Sequence, residues 1–193
     1  LMLNELGINV QSGICEIDGI QANNYDFSKV SESEIFALDN EVEQAQKDAI
    51  LKAKNSHNSV GGVALVNVKN APIGLGEPLY FKLDSQIANA MMGINAVKAV
   101  EIGDGILASR VKGYDNNDQI RKTGFKTNHS GGILGGISNG DDINVKVYFK
   151  ATPSIFIEQE TIDTANNEVS CQLKGRHDPC VAIRGSVVAE SMM

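Results

Sequence analysis

Two stretches of this chain carry residue types that could do chemistry. The first, KTNHSGGILGGISNG at 126–140, sets Gly131, Gly132, Gly135 and Gly136 around the apolar pair Ile133 and Leu134. Glycine permits positive φ and lets backbone approach a flat or phosphorylated ligand closely. Giving up four side chains in six positions therefore points to something other than core packing. The second stretch, GRHDPC at 175–180, lines up a guanidinium (Arg176), a titratable ring (His177) and a carboxylate (Asp178) ahead of Pro179. Two readings stay open there. In one, Asp178 caps the last helix, Arg176 pairs with a neighbouring acid and His177 faces solvent. In the other, the three residues serve an anion, which the N-terminus of the following helix would attract in any case.

Lys150-Ala151-Thr152-Pro153-Ser154 offers an ammonium, two hydroxyls and a strand exit. That set suits a phosphate, and equally a Pro-Ser turn with no ligand. His129, beside the glycine block, reads as structural or solvated. Asp84, Glu101 and Asp104 lie near element ends, and nothing in their spacing pairs them as an acid–base couple or a metal site. The chain has no phosphate loop of the Gly-x-x-x-x-Gly-Lys-Ser/Thr type, no dinucleotide fingerprint between strand and helix, and no Gly-x-Ser-x-Gly elbow.

These residues need elements to hold them. LMLNELG opens the chain as the end of a helix, so residue 1 is read as an unnatural start. The stretch 8–20 is a strand pair or one bent strand, and 27–39 is turn-rich with a short helical start at Ser33. A clear amphipathic helix follows at 38–55, with Val42, Ala45, Ala49, Ile50 and Ala53 on its apolar face. NSVGGVALVNV (58–68) is a buried strand with a Gly-Gly kink or bulge. A second helix within 71–94 buries Leu83, Ile87, Ala90 and Met91, and 95–106 is a strand ending in Gly-Asp-Gly. The polar stretch 111–124 is loop-like, a candidate flap. GGILGGIS and INVKVYFK (143–150) flank Asn139-Gly140, a hairpin signal. In the second of them Ile143, Val145, Val147 and Phe149 alternate inward. A further strand (168–174) precedes Asp178 as N-cap and Pro179 as first residue of a helix. Antiparallel strands interleaved with helices give an α+β class and one domain over 1–193.

Bulk properties narrow the function. Hydrophobic residues make up 42% and charged residues 21%, ordinary for a globular chain able to bury a core. No apolar run approaches the length of a membrane helix, and no signal segment opens the chain. Cys15, Cys171 and Cys180 are odd in number and lack metal-type spacing, which fits a reduced, cytoplasmic setting. With a formal net charge of −7 and no basic–aromatic cluster, nucleic acid is not an expected partner.

The segments 74–105, 125–140, 150–155 and 175–192 together resemble chorismate synthases, in the family's order and at its intervals. The resemblance runs from about residue 8 to the end and is weakest over 20–57. It implies antiparallel sheets with helices packed between and against them, the β-α-β sandwich of that family. It implies a lyase of aromatic amino-acid biosynthesis that converts 5-enolpyruvylshikimate 3-phosphate to chorismate and phosphate by 1,4-anti elimination. Reduced FMN is required without net redox change: it lends electron density as phosphate leaves, and its N5 region accepts the C6 proton. Matched by motif, Asn95, Ala96, Gly135, Lys150, Ala151, Thr152, Pro153, Ser154 and Arg176 would contact FMN. Arg176 would also hold the substrate's anionic groups, and Asp178 would assist proton removal. No metal is implied, and a homotetramer is implied at full length.

Family members are nearly twice as long as this chain. Their opening Gly-x-Ser-His-Gly motif, central arginine-rich segment and second catalytic histidine are absent here. The chain therefore reads as a C-terminal portion, expected to turn over poorly alone, with an FMN- or phosphate-binding module as the alternative. A purely structural or oligomerisation domain is a third reading.

Overall fold

The computed structural model describes residues 2–193. A short turn of helix, α1 (Met2–Glu5), leads into β1 (Asn9–Ile17), which reverses through Asp18-Gly19 into β2 (Ile20–Gln21). Helix α2 (Asn40–Asn55) follows, capped by Asp39, whose carboxylate accepts the Glu41 N–H at 3.0 Å. Strand β3 (Gly62–Lys69), helix α3 (Leu83–Met92) and strand β4 (Val97–Ile102) come next. Between 113 and 138 lie only short elements: α4 (Gly113–Asn116) and the two-residue strands β5 (Ile120–Arg121), β6 (Gly124–Phe125), β7 (Ile133–Leu134) and β8 (Ile137–Ser138). Strand β9 (Ile143–Phe149), the exposed ribbon β10 (Gln159–Ile162) and β11 (Glu168–Cys171), and helix α5 (Ala182–Met192) complete the chain.

The principal sheet has the order β2-β1-β3-β9-β4, antiparallel throughout, in keeping with the expected α+β class. Period-two alternation decides its inner face. Ile143, Val145, Val147 and Phe149 of β9 stand in register with Val68, Val66, Ala64 and Gly62 of β3, and all point into one core. Helices α3 and α5 close that face with Met91 and Ala189, both fully buried. The outer face carries the alternate residues, including a polar row in which Gln11 donates to Asn67 at 3.1 Å and Asn67 to Asn144 at 2.8 Å.

Several local expectations change. The bulge lies not at Gly61-Gly62 but in the partner strand, where Cys15 is the extra residue between Ile14 and Glu16. The two glycines serve close approach instead. A Cβ on Gly61 would meet the Phe149 carbonyl oxygen at 2.7 Å, and one on Gly62 would meet the Ala182 Cβ and the Glu16 carbonyl oxygen at 2.9 Å. Asn139-Gly140 does not join two strands of one hairpin. The hairpin is β7–β8, and its turn is Gly135-Gly136, both with positive φ (62° and 89°) as a two-residue primed turn requires. Strand β9 pairs with β3 and β4 instead, because only there can its alternating apolar face reach the core.

In α2 the residue packed inward is Gln46, not Ala45, which is exposed; Gln46 Nε2 donates to the Ile20 carbonyl at 3.0 Å. The short helical turn at Val30–Glu32 ends at Ser33 rather than starting there. The Ser33 hydroxyl accepts from the Ala37 N–H and donates to Glu43, which turns the chain toward α2.

Burial pushes the Cys15 thiol up to about 12 and that of Cys180 up to about 11, while Cys171 is exposed. At pH 8, Ellman's reagent should therefore titrate one thiol in the native protein and three after unfolding. The native state keeps these two protons where the unfolded chain, with thiols near about 8.5, releases them. Stability should accordingly fall as pH rises from about 8.5 toward about 12, and a urea titration across that range will show it. Gly62→Ala should cost roughly 1–3 kcal/mol in the same titration through overpacking. Gly113→Ala, which meets nothing within 4 Å, should be neutral or gain up to about 1 kcal/mol.

Candidate functional site

The loop at 57–61, between α2 and β3, is the support on which the two sequence motifs meet. The Ser59 hydroxyl donates to the Thr152 carbonyl at 2.6 Å, and the Phe156 N–H donates to the His57 carbonyl at 3.1 Å. The Val60 N–H donates to the Pro179 carbonyl at 2.8 Å. Residues 150–156 and 176–180 are thereby held to one short segment, far apart though they are in sequence. Asn95 and Ala96 arrive from the other side of β9, at the C-terminal end of α3, where the Lys150 N–H donates to the Ala96 carbonyl at 2.9 Å. A bulge at Lys98 in β4 and a positive φ of 73° at Ala96 accompany this join.

Within the 150–154 turn, Lys150 is exposed and has no carboxylate within ion-pair distance among the described residues. Ala151 and Pro153 are exposed, and Thr152 and Ser154 are half-buried. The Thr152 Oγ1 atom is buried with no hydrogen-bond partner among the described residues. Such an orphaned hydroxyl calls for an explanation, and a ligand oxygen is one.

Arg176 and Asp178 line a cleft of about 820 Å³ between the end of α2 and the start of α5. Arg176 is exposed and has no ion-pair partner among the described residues. Asp178 does not cap α5, which begins at Ala182 behind Val181. Its carboxylate accepts the Cys180 N–H at 3.1 Å and the Arg184 guanidinium. Pro179 therefore precedes the helix, because Asp178 closes a local turn with Cys180 instead of capping. His177 packs edge-on against Phe156, centroids 4.3 Å apart, and Phe156 in turn against His57 at 5.8 Å.

Gly135 is not brought to this cluster. The neighbouring Gly136 carbonyl accepts the Leu83 N–H at the start of α3, whereas Asn95 and Ala96 follow that helix's end. The ten residues of α3 separate the two places by about 15 Å. Most of the glycine block is explained by packing and turn geometry. Gly131 lies against Gly103, a Cβ on Gly132 would meet the Asp142 carbonyl oxygen at 2.7 Å, and one on Gly136 would meet Lys82 at 2.6 Å. Gly135 alone faces open space.

Two partnerships escape the sequence. His129 Nδ1 lies 2.6 Å from Asp104 Oδ2, and the Tyr148 hydroxyl donates to Glu101 at 2.8 Å. Asp118 accepts the N–H groups of His129 and Ser130 and the Thr127 hydroxyl. Burial opposes its ionisation, but these bonds hold its carboxyl below the usual range. The 57–61 support likewise gave no sequence signal beyond its Gly-Gly. No group of three or more His, Cys, Asp or Glu among the described residues could hold a metal. No helix among them is long and apolar enough to cross a membrane.

A family model described as chorismate synthase matches residues 1–193. The chain is 83% identical over 193 residues to a chorismate synthase from Aliarcobacter butzleri (strain RM4018), covering 100% of this chain and 54% of that protein. It is 65% identical over 192 residues to one from Sulfurimonas denitrificans (strain ATCC 33889 / DSM 1251), with the same coverages. A solved structure, "Crystal Structure of Chorismate Synthase", superposes with a TM-score of 0.79 at 30% identity, covering 98% of this chain and 55% of that one. The chain thus spans about half the length of the curated relatives it matches.

The left-handed Ala96 gives a test of the join between β4 and β9. Ala96→Gly should be neutral or stabilising by up to about 1 kcal/mol, since only glycine occupies that region freely. Ala96→Val should cost about 1–3 kcal/mol in a denaturant titration.

Proposed function

The chain belongs to the chorismate synthase family, and we propose that it contributes the FMN-binding turn and the proton-handling carboxylate of that lyase. The reaction is elimination of phosphate from 5-enolpyruvylshikimate 3-phosphate to give chorismate. The observation that carries this reading is the joining of the 150–156 turn and the 176–180 segment to the single 57–61 support, with Ala96 bonded to Lys150 from the other side of β9.

The residues present fit an elongated anionic cofactor. Among the described residues Lys150 offers an ammonium without an ion-pair partner and Thr152 a hydroxyl without a hydrogen-bond partner, and Gly135 gives an open approach to backbone. Reduced FMN, when bound, supplies electron density for departure of phosphate. Lys150, Thr152 and Ser154 bind phosphoryl oxygens through charge-assisted and hydroxyl hydrogen bonds. Gly135, at the other end of α3 from Ala96, leaves room for the rest of the cofactor. Arg176 anchors an anionic group with its planar fork. Asp178, oriented by Arg184 and the Cys180 N–H, holds or relays a proton at its carboxylate. The full-length enzyme acts in the cytoplasm as a homotetramer.

A second reading, cofactor binding without turnover, is favoured by the chain's span of about half its relatives' length. An anaerobic assay of the purified chain with dithionite-reduced FMN and 5-enolpyruvylshikimate 3-phosphate, following chorismate absorbance, separates the two. Saturable FMN binding without chorismate is the outcome expected of the chain alone. Absence of both binding and turnover, in this chain and in the full-length enzyme, would sink the proposal. In the full-length enzyme, Asp178→Asn should lower kcat by roughly 10²–10⁴ while FMN affinity stays within a few-fold. A main loss in thermal stability would instead assign Asp178 to the local turn.

A further inference from the structure

The cleft between α2 and α5 has a charge out of keeping with the chain. The protein carries −7, yet Lys54, Arg176 and Arg184 line this cleft against the single carboxylate of Asp178. Lys54 comes from the last turn of α2 and Arg184 from the first turn of α5, so the fold brings the three cations together from three separate segments. Lys54 and Arg176 have no carboxylate within ion-pair distance among the described residues. The buried His177 Nε2 of the same cleft has no hydrogen-bond partner among the described residues. Three converging cations beside the N-terminus of an eleven-residue helix form the kind of field that phosphate esters seek.

Resting on the function proposed above, we propose that Lys54 and Arg184 complete, with Arg176, a phosphate-binding subsite in this cleft. Asp178 occupies the Arg184 guanidinium when no anion is present, and an arriving phosphate shares it. The anion is a phosphate monoester: the substrate's where the 150–154 turn holds the cofactor's phosphate, and the cofactor's where it does not. No covalent step is involved.

The test uses inorganic phosphate first. The 193-residue chain is unfolded thermally over a phosphate series against chloride at matched ionic strength, for the wild type, Lys54→Ala, Lys54→Arg, Arg184→Ala and Arg184→Lys. Phosphate should raise the wild-type midpoint, with an apparent Kd weakened roughly tenfold in each alanine variant and restored by Lys54→Arg. Arg184 is 70% exposed at its side chain, so its loss leaves the fold intact, and far-UV circular dichroism checks this. FMN, riboflavin and shikimate 3-phosphate titrations of the same proteins then name the source. Weaker FMN with unchanged riboflavin assigns the subsite to the cofactor phosphate. Unchanged FMN with weaker shikimate 3-phosphate assigns it to the substrate. If phosphate fails to stabilise the wild type, or stabilises all variants equally, the subsite is wrong. If phosphate binding responds as expected while the full-length enzyme forms no chorismate, the subsite stands and the lyase reading falls.

Discussion

The structure turns on two positions that have no room for a side chain. Gly61 and Gly62 lie where the exit of β9, the bulge of β1 and the first turn of α5 converge, and a Cβ at either would press on backbone atoms. Backbone cannot rotate away as the tip of a long side chain can, so the sheet, the helix and the loop are fixed relative to one another. From that fixed point the Ser59 hydroxyl and the Val60 N–H reach outward to the 150–156 turn and the 176–180 segment. The candidate site is thus an extension of a close backbone contact in the core, not a loop laid over it.

Polar groups inside the protein are handled in two ways. Most are satisfied within the chain: Ser12 bonds the Ser186 carbonyl and Glu190, tying β1 to α5, and the Asn67 amide spans the outer face of the sheet. Others stay without a partner, and two of these, Thr152 Oγ1 and His177 Nε2, lie in the segments that the family resemblance assigns to ligand. An unpaired buried polar atom costs free energy that a structural role would have removed. Together with the cationic lining of the cleft, this sets the candidate site apart in a chain whose net charge is −7.

Some features could be read from residue order alone. The alternation of Ile143, Val145, Val147 and Phe149 dictated a half-buried strand, and its inner residues are those that alternation requires. The stripe of α3 through Ile87 and Met91 was equally legible, because burial and helical period coincide there. Legibility failed where two local signals compete. Asn139-Gly140 has the chemistry of a hairpin turn, but Gly135-Gly136 has it too, and only the pairing partners of β9 choose between them. Ala45 is apolar and Gln46 is not, yet Gln46 is inside because the Ile20 carbonyl waits there for a donor. Asp178 and Pro179 spell a helix start, but Asp178 closes a turn with Cys180 and binds Arg184 instead.

By itself the sequence determined the family, the α+β class and the strand and helix stripes, and it offered the candidate ligand-binding residues. These depend on residue type and on near-neighbour spacing, which the chain states directly. Tertiary structure alone decided which of those residues meet. His129 with Asp104 and Tyr148 with Glu101 are pairings across separate elements, and Lys54, Arg176 and Arg184 come from separate segments to line one cleft. It also placed Gly135 at one end of α3 and Asn95 at the other, a separation that motif order cannot encode. Such distances arise from how elements pack, and packing is a property of surfaces formed only after the chain has folded.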